Sequence, residues 1–168
     1  EGNGWTTSRH YAVPTTDIPM HITPKLLNWL NNTLLPKVLP VMQSHFFPAV
    51  DAGAGAGMVA AVHDAFLVKY DANSGQRYLP LHQDESTHSL TVALNSHCEY
   101  TGGGTYFDDL QGAVRPGKGQ ILAFDGSLLH GGDPLLKGTR YIIAIFLLLA
   151  PANSKPTTKY SRGVGVGV

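Results

Sequence analysis

The hydrophobic pattern divides the chain into two parts. Within residues 24–44 apolar side chains recur every three or four positions, which is the spacing of an amphipathic helix. Thr23 and Pro24 provide a cap residue and a first-turn proline at its start. Pro36 and Pro40 interrupt the pattern, so we expect one long, kinked helix that packs against a sheet.

After residue 57 the pattern changes to short β-rich runs separated by glycine and proline turns. The runs are residues 65–70, 78–83, 89–95, 104–107, 119–124 and 141–149. Many short strands without intervening helices favour an antiparallel sandwich or barrel. We predict a mainly β fold with flanking N-terminal helices. Residues 1–168 are expected to form a single domain, with a helical part to about residue 57, a β-barrel core over about 58–150 and a loose tail over 151–168. The glycine–alanine repeat at 51–57 is predicted to be a flexible connector.

Charge and composition narrow the range of functions. Twelve basic and twelve acidic residues give zero formal net charge, so no basic field is available to hold nucleic acid. The longest apolar run, residues 142–150, is too short to span a bilayer. Residues 1–16 lack the apolar stretch of a signal peptide, and the chain begins at Glu1, so we expect a soluble, excised or processed domain. Cys98 is the only cysteine, which excludes an intrachain disulfide and a four-cysteine zinc site.

Two histidines and an aspartate form a candidate metal site. His82 and Asp84 stand two residues apart at the end of a predicted strand, so their side chains share one face. His130 follows a later strand. Two imidazoles and one carboxylate leave coordination positions open and suit non-haem Fe(II), although this pattern alone also arises by chance.

Arg140 is a candidate anion-binding residue. It begins the most apolar predicted strand, which contains no acidic residue to pair with it. A buried guanidinium is costly unless it meets an anion, and a dicarboxylate would fit its two-pronged geometry. The alternative is an arginine at a barrel rim that faces solvent or pairs with Asp133.

Several motifs together resemble the Fe(II)/2-oxoglutarate-dependent oxygenases, specifically the prolyl and lysyl hydroxylase branch. They occur in family order over about half the chain: Val68-Lys-Tyr-Asp71, Leu81-His-Gln-Asp-Glu-Ser86, Leu90-Thr-Val-Ala-Leu-Asn95, Tyr100-Thr-Gly-Gly-Gly-Thr-Tyr-Phe107, Arg115-Pro-Gly-Lys-Gly119, Leu129-His-Gly131 and Lys137-Gly-Thr-Arg-Tyr141. The first metal-site motif and the Ala-Leu-Asn that follows it look closest to the lysyl hydroxylases. Collagen prolyl 4-hydroxylases usually carry lysine where this chain has Arg140, which argues against that subgroup.

The resemblance implies a double-stranded β-helix, a jelly-roll barrel. It implies that His82, Asp84 and His130 bind Fe(II). It also implies that Arg140 and Tyr70 bind the far carboxylate of 2-oxoglutarate, with Thr91 as a further cosubstrate contact. The implied reaction uses O2, with ascorbate as an additional candidate cofactor. It converts 2-oxoglutarate to succinate and CO2 while hydroxylating an unactivated C–H bond.

The substrate and some alternatives stay open. A peptidyl proline or lysine is the leading substrate, and a free amino acid or another small molecule is the first alternative. A catalytically silent jelly-roll binding module and a cupin-like metal enzyme without 2-oxoglutarate are the others; the oligomeric state is not predicted. Leu79, Leu81, Leu94 and Ile143 are candidate apolar lining residues, and His88, His97 and Glu85 are interpreted as surface loop or turn positions.

Overall fold

Two antiparallel sheets and an N-terminal helical segment make up the structure, a computed structural model that describes residues 4–7, 14–46 and 58–151. The strands are β1 (Thr16–Pro19), β2 (Met58–Asp71), β3 (Leu79–His82), β4 (His88–Ala93), β5 (Tyr100–Gly102), β6 (Thr105–Phe107), β7 (Gly112–Val114), β8 (Ile121–Asp125), β9 (His130–Gly132) and β10 (Leu135–Pro151). The helices are α1 (Pro24–Trp29) and α2 (Leu35–Phe46), with the π-helical turn Leu30–Leu34 between them and 3-10 turns at Met20–Ile22 and His97–Glu99. The predicted mainly β fold with N-terminal helices is confirmed.

The large sheet is organised around β10. Its strand order is β1-β2-β10-β4-β8, and β5 also pairs with β10. The β2–β10 ladder runs from Asp71 opposite Thr139 to Met58 opposite Pro151, with one register shift beside Phe146. The small sheet has the order β3-β9-β6-β7. Four of these ten strands, β1, β5, β7 and β9, lie outside the runs predicted from the sequence; each has only three or four residues, too few to show an alternating pattern by themselves.

Side chains alternate along β10 between two apolar cores. Ile143, Ile145 and Leu147 belong to the core beneath the helices, whereas Ile142 and Ala144 belong to the core on the other face of the sheet. This is the two-residue period of a strand covered on both faces. The strand therefore reads as one continuous apolar run in the sequence, and its parity decides which residues face the site.

The predicted helix is present and carries an irregularity. Leu30, Leu35 and Met42 are its buried residues and pack into the core with β2, β4 and β10. Pro40 lies inside α2 without ending it, while the π-helical turn lies one residue before Pro36. Among the described residues, no helix has the length and apolar character needed to cross a membrane. The predicted connector 51–57 and the tail after residue 151 lie outside the described residues.

Candidate active site

His82, Asp84 and His130 converge at one point, and we refer to them as the His–Asp–His cluster. The pairing of β3 with β9 places His82 directly opposite His130. The Nε2 atoms of His82 and His130 lie 3.3 Å and 3.4 Å from the two carboxylate oxygens of Asp84. One ligand atom from each residue falls within 4.8 Å of the others. Two nitrogens and one oxygen on one side of a point form the donor set of a facial metal site.

Backbone hydrogen bonds select the tautomer of both histidines. The Nδ1 atoms of His82 and His130 lie 2.8 Å from the carbonyl oxygens of Pro80 and Leu128, respectively. A carbonyl oxygen only accepts, so each Nδ1 carries a proton, and each Nε2 faces Asp84, where it donates to the carboxylate when protonated or binds a metal ion through its lone pair when deprotonated. The ring of His130 also packs edge-on against Phe124, with 4.6 Å between ring centroids. Carbonyl partners of this kind orient metal-binding histidines in proteins.

Asp84 is held as a carboxylate. Burial by itself would raise its pKa, but hydrogen bonds with His130 and His82, together with that from Ser89, hold the pKa of Asp84 well below its usual value. The interaction between Asp84 and His82 also shifts the pKa of His82. Burial would lower the pKa of His82, but the hydrogen bonds with Asp84 and with the Pro80 carbonyl raise it. The Ser89 hydroxyl donates to Oδ2 of Asp84 and is itself 2.8 Å from the hydroxyl of Ser86, which fixes the carboxylate orientation.

The cluster opens into a cavity of about 410 Å³ between the two sheets. The cavity is lined by residues of β2, β10, β4 and β8 on one side and of β3, β9 and β6 on the other. Among them are Phe66, Val68, Tyr70, Leu79, Thr91, Thr105, Phe124, Ile142, Ala144 and Phe146. Glu85 is the one carboxylate besides Asp84 among the described lining residues, and no described lysine or arginine lines the cavity. The walls are thus mainly apolar and aromatic, with polar groups at a few points.

Arg140 and Tyr70 lie side by side at one end of this region. They are register partners on β10 and β2, and the Arg140 guanidinium carbon lies 5.4 Å from the Tyr70 ring centroid. Arg140 is only 3% exposed and forms no ion pair with any described residue; its Nη1 donates to the Gly104 carbonyl oxygen at 3.3 Å. Burial raises the pKa of Tyr70, although the nearby arginine opposes the shift, so the phenol keeps its proton and can donate.

Glycines let the backbone approach this end closely. A Cβ on Gly103, which has φ of 67°, would lie 3.3 Å from Cδ of Arg140. A Cβ on Gly132 would lie 2.9 Å from Cε1 of Tyr70. Side chains at these two positions would displace the arginine and the tyrosine, so the glycine motifs are part of the geometry of the site.

Thr91 lies on β4 between the cluster and Arg140. It is buried and lines the cavity, and its Oγ1 has no hydrogen-bond partner within the described part of the chain. It shares a strand face with Ser89, two residues away, and is paired with Ala144 of β10. The hydroxyl is therefore available to a ligand in the cavity.

The structure corrects several sequence interpretations. Arg140 is not at a solvent-facing rim, and Asp133 pairs with Arg115 instead, at 2.8 Å. Of the candidate lining residues, Leu79 lines the cavity, but Leu81 is 48% exposed. Ile143 and Leu94 pack in the core under the helices, because the even-numbered residues of β10 face the cavity.

One histidine interpretation needs revision, and two residues of the site were not predicted. His88 is a buried residue of β4 whose ring packs edge-on against Phe46, not a loop residue. His97 and Cys98 are exposed, as expected. Sequence reasoning missed His63 and Ser89. The serine of the His-x-Asp-x-Ser motif is Ser86, which contacts Asp84 only through Ser89, and nothing local marks His63 as a cavity residue.

The curated proteins include relatives of this sequence. The chain is 36% identical over 139 residues to a protein of Rattus norvegicus named multifunctional procollagen lysine hydroxylase and glycosyltransferase LH3. The match covers 80% of this chain and 18% of that protein, so the chain spans about a fifth of the length of the curated relatives it matches. No protein-family model matches the sequence.

Solved structures share the fold. An oxidoreductase of the 2OG-Fe(II) oxygenase family from Burkholderia pseudomallei superposes with a TM-score of 0.59 at 12% identity, covering 86% of this chain and 71% of that one. A structure of prolyl 4-hydroxylases from Phytophthora capsici gives a TM-score of 0.53 at 16% identity, covering 87% and 53%. At these identities the likeness concerns the fold, and it agrees with the predicted jelly-roll barrel.

Proposed function

This chain belongs to the prolyl and lysyl hydroxylase branch of the Fe(II)/2-oxoglutarate oxygenases, as its motifs predicted, and we propose that it is a hydroxylase domain acting on a peptidyl lysine or proline. The products would be the hydroxylated residue, succinate and CO2. The single observation that carries the proposal is that the His–Asp–His cluster and Tyr70 line one cavity between the two sheets, and that Tyr70 is the register partner of Arg140, a buried arginine without an ion-pair partner among the described residues.

The cluster fits a divalent iron site by the chemistry of its donors. His82 and His130 each present a lone pair at Nε2, and Asp84 is a carboxylate. Three protein donors leave positions open for a chelating 2-oxo acid and for O2, as in non-haem Fe(II) oxygenases. The bound metal and 2-oxoglutarate would supply the oxidising chemistry that side chains lack.

The other end fits a dicarboxylate. Arg140 is a buried cation without an anionic partner among the described residues, and Tyr70 beside it is a protonated donor. Thr91 adds an unpartnered hydroxyl between this end and the cluster. We propose that Arg140 and Tyr70 bind the far carboxylate of 2-oxoglutarate and that Thr91 contacts it along its length. Ascorbate is proposed only as an accessory reductant.

The lining favours a lysine over a proline as the residue that enters. Glu85 lies at the mouth, where it is exposed, and no described lysine or arginine lines the cavity. A cationic side chain is attracted to such a wall, whereas proline gains nothing from the charge. The relatives named for procollagen lysine hydroxylation agree with this preference, and a free amino acid remains the alternative substrate.

A silent binding module is the competing function from another class. It would have the same fold without turnover, and the presence of the complete donor set and of Arg140 argues against it. Release of succinate separates the two functions directly.

The deciding experiment measures succinate released from 2-oxoglutarate in the presence of Fe(II), with lysine-containing and proline-containing collagen-like peptides and with free lysine. We expect peptide-stimulated release that is lost on chelation and in Asp84→Ala. Asp109→Ala, which removes an exposed turn carboxylate, is the matched control and should retain turnover. Absence of succinate with every substrate, despite metal binding, would favour the binding module.

A further inference from the structure

The far end of the cavity carries a histidine that neither metal binding nor cosubstrate binding uses. His63 lines the cavity, and its Nδ1 is buried without a hydrogen-bond partner among the residues that the structure describes. Leaving a buried polar atom unsatisfied destabilises a protein, so such atoms in folded structures require an explanation. A ligand that supplies the missing hydrogen bond is one such explanation.

His63 reaches the cavity because the pairing of β2 with β10 slips at this residue. Asp64 pairs with Phe146 and Val62 pairs with Leu147, which leaves His63 as the extra residue of a β-bulge. A bulge turns a side chain away from the direction that regular alternation would give it, and bulges are over-represented beside active sites. Here it brings an imidazole to a wall otherwise formed by Phe66 and its neighbours.

The bulge lies level with the cluster and away from Arg140. Ser89, which holds Asp84, is paired with Phe146 of β10, and Phe146 is paired with Asp64 beside the bulge. Ser89 and the bulge are thus two strand spacings apart, about 9–10 Å. Arg140 lies six residues from Phe146 along β10, or about 20 Å in an extended strand. A substrate that enters on the side away from the cosubstrate passes the bulge.

The surroundings of His63 fit a peptide with an extended side chain. Phe66 and Phe146 form an edge-to-face pair with 5.4 Å between ring centroids, and both line the cavity. An aliphatic side chain would pass along these rings toward the cluster. Its main chain would stay at the mouth, where every residue offers a C=O acceptor and every residue except proline also offers an N–H donor.

We propose that His63 is a substrate-binding residue that hydrogen-bonds the main chain of a peptide substrate and thereby holds the target side chain over the His–Asp–His cluster. This role rests on the proposed function and adds to it a residue and a bond type. Because the bond is to the main chain, His63 would contribute to affinity for lysine and proline peptides alike, while Glu85 would discriminate between them.

The test measures peptide binding without turnover. Protein loaded with Mn(II) and 2-oxoglutarate, in the absence of oxygen, is titrated with fluorescent collagen-like peptides that carry one lysine or one target proline. His63→Phe keeps a flat ring and removes both nitrogens, and His63→Asn keeps a polar group near the position of Nδ1. We expect His63→Phe to weaken peptide binding about tenfold, the effect of one net hydrogen bond. His63→Asn should recover part of the loss.

Affinity for 2-oxoglutarate is the internal control and should change less than about twofold in either variant, because Arg140 and Tyr70, the residues proposed to bind its far carboxylate, lie at the opposite end of the β2–β10 ladder. Equal peptide affinity in His63→Phe and the parent would overturn the proposal, and so would a parallel loss of 2-oxoglutarate affinity, which indicates a structural role. A parent protein that binds 2-oxoglutarate but neither peptide would overturn the peptide assignment. A parent protein that binds no 2-oxoglutarate would overturn the proposed function instead.

Discussion

The two ends of the cavity are built by the same pair of strands in different ways. At one end β2 and β10 keep strict register, so Tyr70 and Arg140 lie opposite each other and glycines close in on both. At the other end the register slips, and His63 enters the cavity from a bulge between aromatic side chains. The regular end suits a ligand that is the same in every turnover, such as the proposed cosubstrate. The irregular end can accept different substrates without disturbing the regular end. The two ends are therefore expected to respond differently to mutation.

The largest effect is expected at Arg140. If Arg140 binds the far carboxylate of 2-oxoglutarate as proposed, leucine at this position would leave that carboxylate buried without its partner, and breaking a buried pair costs about 3–5 kcal/mol. Arg140→Leu should therefore weaken 2-oxoglutarate binding by on the order of 10²–10³-fold, at about 1.4 kcal/mol per tenfold. Arg140→Lys should fall between, since it keeps the charge and loses the planar fork. Titration of 2-oxoglutarate into the Mn(II) form measures both.

Metal affinity is the control for that series and should survive, because the cluster is untouched. If Arg140→Leu bound 2-oxoglutarate as tightly as the parent, the regular end of the cavity would not be the cosubstrate end, and the proposed difference in function between the two ends would be wrong.

Thr91→Val should separate ligand binding from stability. Its hydroxyl has no partner in the ligand-free protein, so an isosteric methyl should leave the melting temperature unchanged or raise it. The same change should weaken 2-oxoglutarate binding about three- to tenfold, the effect of one net hydrogen bond. Thermal melts with and without 2-oxoglutarate give both numbers; a fall in stability of the ligand-free form would show that the hydroxyl is already satisfied.

Glu85→Gln should change selectivity without changing cosubstrate binding. Exposed ion pairs contribute little, so we expect only about a two- to fivefold loss of affinity for a lysine peptide and no change for a proline peptide. The lysine effect should shrink as ionic strength rises. Equal losses for both peptides would show that Glu85 acts through packing and not through charge.

Cys98→Ser should have no measurable effect at either end. Cys98 is exposed in the 3-10 turn after β4, outside the cavity lining. Unchanged succinate release and melting temperature are expected. Loss of activity with retained folding would reveal a role that neither end of the cavity explains.

The residues at the regular end of the cavity can be predicted from the order of the sequence motifs, whereas those at the irregular end cannot. His82, Asp84, His130 and Arg140 stand in motifs whose spacing suggested that they act together. The apolar strand 141–149 was found too, but its parity was not, because a strand buried on both faces shows no alternation. The sequence therefore predicts Ile143 as a lining residue, but in the structure its neighbours Ile142 and Ala144 line the cavity and Ile143 packs in the core under the helices.

The rest could not be read locally for physical reasons. A bulge depends on how two strands that are distant in the sequence align, so the residues around His63 do not predict the bulge. The shortest strands, such as β9, depend on partners far away in the chain, and the glycines of β9 look like a turn. Burial of His88 under Phe46 likewise comes from packing between elements that are 42 residues apart.

The central position of β10 has a consequence for how the chain is made. β10 is the last described strand, yet β2 and β4 both depend on it for their pairing. Between Asp71 at the end of β2 and Leu135 at the start of β10 lie residues that a ribosome adds at about 5–20 per second, so β2 waits on the order of several seconds for its partner. During that interval a fourteen-residue strand presents an open edge, the kind of surface that pairs with other chains. We therefore expect the yield of folded protein to depend on how well nascent β2 is protected from other chains, independently of how stable the finished barrel is.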